Sequence, residues 1–160
     1  MTLRAAVIGA GPSGFYTAGM LLKEGFAVDL YDVLPTPFGL VRAGVAPDHP
    51  KIKAVTRVFD KTARSEDFRF FGGVELGQHV TREQLLDRYH AVVYAMGTSD
   101  DNKLGIPGED LPGSHPATEF VSWYNGHPHH ADREYDLSVR QAVVIGNGAT
   151  VGERMINDRR

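Results

Sequence analysis

The sequence predicts an α/β fold, a doubly wound and mainly parallel sheet with only the start of a second domain of the same kind. Three observations carry this. A strand, a turn, a helix and a second strand follow one another within the first 32 residues, the unit from which parallel sheets are built. A glycine turn, Gly9-Ala10-Gly11-Pro12-Ser13-Gly14, lies between that strand and that helix. A second glycine turn, Gly146-Asn147-Gly148, opens after another apolar strand, Gln141 to Ile145.

The elements follow in order. Arg4 to Ile8 is a short apolar run that reads as a buried strand. Phe15 to Glu24 has Phe15, Ala18, Leu21 and Leu22 at helical spacing, and Gly25 is a natural C-terminal cap. Ala27 to Tyr31 is the second strand, ending at Asp32. Leu34 to Pro50 is rich in proline and glycine and poor in charge, which predicts a rigid, part-buried loop. Lys51 to Arg64 reads as one helix with Ile52, Val55, Val58 and Phe59 on one face. Phe68 to Phe71 and Val74 to Leu76 are short strand candidates split by Gly72-Gly73. Thr81-Arg82-Glu83-Gln84 is a capping box that opens a short helix to Tyr89. Ala91 to Met96 is a buried strand stopped by Gly97. Thr98 to Gly113 reads as a polar loop, Thr118 to Tyr124 as a short helix, and Gln141 to Ile145 as the last strand.

Composition bounds the function. At 160 residues, 42% of them apolar, the chain can build a core, and 23% charged residues exclude global disorder. Seventeen Lys and Arg against 20 Asp and Glu give a net charge of −3, with no basic excess for nucleic acid or an anionic membrane. The absence of cysteine excludes disulfides, Cys-ligated metal and thiol chemistry in this chain, and fits a cytoplasmic protein. The apolar stretch Ala5 to Leu22 is broken by glycine and proline and lacks the marks of a signal peptide. No run approaches the ~20 apolar residues of a membrane span.

The first glycine turn carries the chemistry. Its context is a Rossmann-like one, after a strand and opening a helix. Gly9 permits the tight turn, Gly11 lets backbone approach a pyrophosphate, and Gly14 lets the helix pack close to the strand. The helix N-terminus offers free N–H groups and a positive dipole end to phosphates. Asp32 stands 18 positions beyond Gly14, where a carboxylate accepts from ribose hydroxyls and repels a 2′-phosphate. That favours FAD or NAD at this turn over NADP. Gly146, Asn147 and Gly148 repeat the first half of the motif, but Val151 stands where Gly or Ala is usual. Gly152 to Arg160 shows little apolar periodicity and no further strand is expected, so this second turn reads as not competent. Two such turns suggest a two-cofactor flavoenzyme, with FAD in the first and a nicotinamide in the second. Val93-Tyr94-Ala95-Met96-Gly97, an apolar strand ending in glycine, would bring Gly97 to the edge where cofactors sit.

Longer stretches make the pattern specific. Leu34-Pro35-Thr36-Pro37-Phe38-Gly39-Leu40-Val41-Arg42, Gly44 to Lys53, Ile106 to Gly113, Phe70-Phe71-Gly72 and Trp123 to Pro128 resemble the adrenodoxin-reductase-like NADPH-ferredoxin reductases of actinobacterial type. The resemblance runs from about Val7 to Gly148. It implies an FAD-binding domain over residues 1–140 and the truncated beginning of an NADP-binding domain over 141–160. It implies FAD and NADP as cofactors and a ferredoxin-type iron–sulfur protein as partner, with electrons passing between NADPH and ferredoxin through FAD. The family's FAD contacts fall on Ser13, Asp32 (commonly Glu), Leu40, either Leu76 or Val80, and Gly97. His49 matches a family histidine near flavin and nicotinamide, implicated in proton or hydride handling. Without the resemblance, His49 is a loop histidine of the kind that is solvated or holds a backbone hydrogen bond. The stretch after Gly148 departs from the family's Ala/Val/Leu-rich helix, which reads as a truncated or frameshifted product or a fragment. Two other readings stand beside a working reductase: a non-catalytic FAD-binding remnant, and an NAD-binding module without flavin.

The remaining clusters are bland. His127, His129, His130 and Asp132 read as a solvated loop with no metal site, because Pro128 and loop context do not preset ligand geometry. Asp100-Asp101 and Glu109-Asp110 read as a solvated loop face. No G-x-S-x-G occurs to suggest a serine nucleophile.

Overall fold

The computed structural model describes residues 2–45, 50–98, 103–145 and 154–157. It divides into two compact units, Met1–Arg42 with Asp48–Thr98, and Ala43–Pro47 with Ser99–Arg160.

The first unit is the parallel sheet the sequence leads one to expect. Its strands are β1 (Arg4–Ile8), β2 (Ala27–Tyr31), β3 (Phe68–Phe71) and β4 (Ala91–Tyr94). Their spatial order is β3-β2-β1-β4, and every pairing is parallel. The chain steps outward from β1 through β2 to β3, then returns to the other side of β1. The switch in direction therefore falls between β1 and β4, where open α/β sheets bind their ligands. Ile8 lies level with both Tyr31 and Tyr94, and Tyr31 with Phe71, so all four strands end on one edge.

Alternation along the strands sorts the side chains onto two faces. Val7, Val28 and Leu30 face helix α1 (Pro12–Lys23), whose Phe15 and Ala18 are buried against them. After the one-turn α2 (Gly39–Ala43) and α3 (Pro50–Lys53) comes α4 (Thr56–Ala63), which adds Phe59 to the same core. The Phe15 ring stacks on Phe59 at 4.9 Å and meets Phe38 at 5.1 Å and Phe68 at 5.9 Å. On the opposite face Ala6 and Ile8 pack with Leu85 of α5 (Arg82–Leu86). The Thr81 capping box is present in full: Thr81 Oγ1 accepts from Gln84 N–H at 3.2 Å and Gln84 Oε1 from Thr81 N–H at 2.9 Å.

Several expectations need correction here. The helix expected over Lys51 to Arg64 is broken at Ala54-Val55, where the Thr56 hydroxyl takes the Lys53 carbonyl at 2.9 Å and so competes with the helix for it. The first helix starts at Pro12 rather than Phe15, because proline suits the first helical position. Val74 to Leu76 is not a strand; Leu76 makes a single bridge to Val80 across a tight turn. The proline-rich loop contains the short helix α2.

The second unit holds β5 (Ser114–Pro116), α6 (Ala117–Tyr124), a 3₁₀ turn (Pro128–His130), β6 (Ala142–Ile145) and β7 (Arg154–Asn157). A strand does follow Ile145, contrary to expectation. β7 pairs antiparallel with β5 on one side and β6 on the other. Four residues without clear alternation give no local strand signal; the pairing on both sides makes the strand. Glu109 corrects a second reading. It is 6% exposed rather than solvated, and its carboxylate accepts from the N–H groups of Leu104 at 2.9 Å and Gly105 at 2.7 Å. A carboxylate that satisfies two backbone donors can be buried where an unpaired one cannot.

Candidate functional site

The edge where the four strands end is built by backbone ladders that run past the strands themselves. Gly9 N–H donates to Tyr31 O at 2.7 Å, Ala95 N–H to Ile8 O at 2.7 Å, and Asp32 N–H to Phe71 O at 3.0 Å. These bonds carry the glycine turn, Asp32 and the Ala95-Met96-Gly97 segment to one edge.

Each glycine of the turn answers a different demand. Gly9 has φ of 108°, and a Cβ there would collide with the Ala95 carbonyl. A Cβ on Gly14 would collide with the carbonyl oxygen of Gly9 and touch Leu30. Both are glycines because protein backbone sits against them. Gly11 differs: its φ is −79°, open to any residue, and a Cβ there would meet nothing within 4 Å. No protein contact asks for glycine at 11. The space beside it fits an outside group pressed close to the backbone, as a pyrophosphate is. Gly11 is also the N-cap of α1, which has no side-chain cap and no acidic residue in its first turn. The first N–H groups of that helix, Ser13 and Gly14 among them, have no acceptor within it, and Ser13 is exposed.

Asp32 sits beside this turn with both carboxylate oxygens engaged. Oδ2 accepts from Ala10 N–H at 2.5 Å and Oδ1 from Leu34 N–H at 2.8 Å. Each oxygen retains a further lone-pair position for another donor. Opposite, Phe38 N–H donates to Ala10 O at 2.8 Å. A Cβ on Gly39 would lie 2.9 Å from Gly11 Cα. Leu40, the next residue, is 59% exposed. Gly97 is exposed with φ of 72° and open space where a Cβ would stand. Leu76 and Val80, the two alternatives for one contact, form a bridge with each other and pack together against Ala6, Ile8 and Leu85. His49, Gly146, Asn147 and Gly148 lie outside the described residues.

A polar network that the sequence reading missed lies on the α5 face of the sheet. Asp29, 2% exposed, accepts from Arg4 Nη2 at 2.9 Å, Arg69 Nε at 2.7 Å, Arg69 Nη2 at 2.6 Å and the Tyr89 hydroxyl at 2.5 Å. Tyr89 shares a further hydrogen bond of 2.7 Å with the Tyr31 hydroxyl. Burial, then the bond to Asp29, push the Tyr89 phenol well above its ordinary value. An acid in the middle of the apolar run Ala27 to Tyr31, between strands carrying Arg4 and Arg69, was the available signal.

The second unit contains a cavity of about 260 Å³ lined by His115, Phe120, Tyr135, Leu137 and Arg140, among others. None of the sequence-predicted site residues lines it. Among the described residues no group of three or more His, Cys, Asp or Glu could hold a metal ion, and no helix is long and apolar enough to cross a membrane.

Strand order, the glycine turn at the switch point and the uncapped helix define a Rossmann-like dinucleotide-binding domain. Comparison with known proteins agrees: the family described as an NAD(P)-binding Rossmann-like domain matches residues 7–71. The chain is 54% identical over 150 residues to the NADPH-ferredoxin reductase FprA of Mycobacterium leprae, covering 89% of this chain and 33% of that protein. It is 50% identical over 149 residues to the mitochondrial NADPH:adrenodoxin oxidoreductase of Arabidopsis thaliana, covering 91% of this chain and 31% of that protein. The solved structure of Mycobacterium tuberculosis FprA in complex with NADPH superposes with a TM-score of 0.83 at 51% identity, over 87% of this chain and 32% of that one. The chain is thus similar over about nine-tenths of its length to NADPH-ferredoxin and NADPH:adrenodoxin reductases, and it spans about a third of the length of the curated relatives it matches.

Proposed function

We propose that this chain is the FAD-binding part of a flavoprotein that passes electrons between NADPH and a ferredoxin-type iron–sulfur protein. The observation that carries the reading is Gly11. Of the three glycines in the first turn it alone has open space where a Cβ would stand, so the fold does not demand glycine there, and a ligand pressed against the backbone supplies a reason for it.

The residues fit the group. Gly11 and the N–H groups at the start of α1 would hold the pyrophosphate, Asp32 the adenosine ribose, and Leu40 and Gly97 would approach the cofactor. Either Leu76 or Val80, which bridge each other, would give a backbone contact on the adenine side. When bound, FAD supplies the exchange between two-electron chemistry with a nicotinamide and one-electron delivery to an iron–sulfur partner. The chain's own part is to bind and to orient. Asp32 carries a negative charge that disfavours a 2′-phosphate at this turn. His49 is assigned a proton at the reacting end, and Gly146, Asn147 and Gly148 the start of a nicotinamide turn. In this reading residues 1–140 serve the flavin, residues 141–160 begin the NADP side, and the protein works in the cytoplasm.

A nicotinamide dinucleotide at the first turn is the rival, favoured by the NAD(P)-binding description of the family matched over residues 7–71. Titration of the purified chain with FAD and with NAD⁺ separates the two. Saturable quenching of flavin fluorescence, uncompeted by NAD⁺, is the expected result. Saturable NAD⁺ binding with no flavin binding would establish the rival.

A further inference from the structure

The Ala10 backbone is gripped from two sides. Asp32 Oδ2 takes its N–H, and Phe38 N–H reaches its carbonyl oxygen at 2.8 Å. Phe38 does so from an unusual conformation. Its φ is 90°, the only positive value at a non-glycine among the described residues, and Gly39 follows at 45°. Bulky L side chains avoid this region, and such residues persist only where their surroundings over-determine them.

The surroundings of Phe38 are specific. Its ring meets Phe15 at 5.1 Å and Phe59 at 5.8 Å, inside the aromatic core under α1. The Arg42 guanidinium lies 5.4 Å from its centroid, and Arg42 Nε donates to Pro37 O at 3.0 Å. The ring anchors the residue, and the inverted backbone aims its N–H back at the glycine turn.

The consequence falls on Gly11. The Ala10 carbonyl and the Gly11 N–H belong to one planar trans peptide, so they point in opposite directions. Holding the Ala10 oxygen fixes that plane and hence the direction of the Gly11 N–H. Gly39 comes so close to this peptide that a Cβ on it would lie 2.9 Å from Gly11 Cα.

We propose that Phe38 is a positioning residue for a dinucleotide pyrophosphate: its anchored ring and left-handed backbone lock the Ala10–Gly11 peptide so that the Gly11 N–H faces the phosphate. This rests on the dinucleotide reading above. The strain is stored beside the site, and the aromatic core sustains it.

The test compares Phe38→Ala and Phe38→Tyr with the unaltered chain, at a temperature where circular dichroism shows all three folded. FAD is titrated by flavin fluorescence and adenosine, which lacks phosphate, by NMR shift. The expected result is an FAD affinity about tenfold weaker in Phe38→Ala, a loss of about 1.4 kcal/mol, restored in Phe38→Tyr. Adenosine affinity stays unchanged, and amide exchange speeds up at Phe38 but not at Val7 or Val28. A merely structural role would lower FAD and adenosine affinity together, and that result overturns the inference, as does an unchanged FAD affinity. Should Phe38→Ala fail to fold, Phe38→Leu decides by the same criteria. Failure of the unaltered chain to bind any dinucleotide overturns the dinucleotide reading, and this inference with it.

Discussion

The carbonyl oxygen of Gly9 occupies the space where a Cβ on Gly14 would stand. The turn and the first turn of α1 are packed backbone to backbone, with no room for one methyl. Gly14→Ala should therefore displace the helix from β1. A cost of about 1–3 kcal/mol is expected, the usual range for overpacking. Urea unfolding of the ligand-free chain measures it, and an unchanged midpoint would contradict the close approach.

Gly11→Val should do the reverse. Its φ is permitted to any residue and its Cβ direction is clear of protein, so stability should change by less than about 1 kcal/mol. Flavin binding should vanish, because the side chain takes the space a pyrophosphate needs. Gel filtration after incubation with FAD reads the outcome; retained yellow colour would refute the site.

Asp32→Ala tests a double role. The carboxylate holds two backbone N–H groups within the protein and is proposed to hold the ribose as well. Removal should destabilise the ligand-free chain by about 1.5–3 kcal/mol, the range for hydrogen bonds to a charged group, and weaken FAD binding by a similar amount. Unfolding without FAD gives the first figure and equilibrium dialysis the second. Lost stability with unaltered flavin affinity would leave Asp32 as a brace of the turn alone.

The sequence reading reached the parallel unit because its signals are local. Arg4 to Ile8, the glycines and the Thr81 capping box each state their structure within a few residues. It reached the separate demands on Gly9, Gly11 and Gly14, but not the atom that presses on Gly9, the carbonyl of Ala95, which is distant in sequence. Phe38 escaped for the same reason: nothing in Pro37-Phe38-Gly39 announces a left-handed phenylalanine until Phe15 and Phe59 are beside it. Glu109 read as solvated because its acceptor role depends on Leu104 and Gly105 folding back over it. β7 has no pattern of its own and exists through its neighbours on both sides. Asp29 was legible in principle, as an acid inside an apolar strand.

The Asp29 network predicts how stability responds to alkali. In the folded chain the Tyr89 hydroxyl donates to a buried carboxylate, so ionising it would set two negative charges side by side. Burial and that bond raise its pKa above the ordinary value near 10. In the unfolded chain Tyr89 ionises at that ordinary value. Above about pH 10 the unfolded state therefore holds fewer protons than the folded state, and stability must fall as pH rises. The contribution is fully present below pH 10 and drains away above it, with a limiting slope of about 1.4 kcal/mol per pH unit for one proton. Tyr89→Phe removes the titrating group. It should lower stability at neutral pH by about 1.5–3 kcal/mol for the lost hydrogen bond to a charged group, and it should flatten the decline between pH 10 and 11. Urea midpoints at pH 8, 10 and 11 for both proteins measure this. Parallel declines would show that Tyr89 does not hold its proton for Asp29.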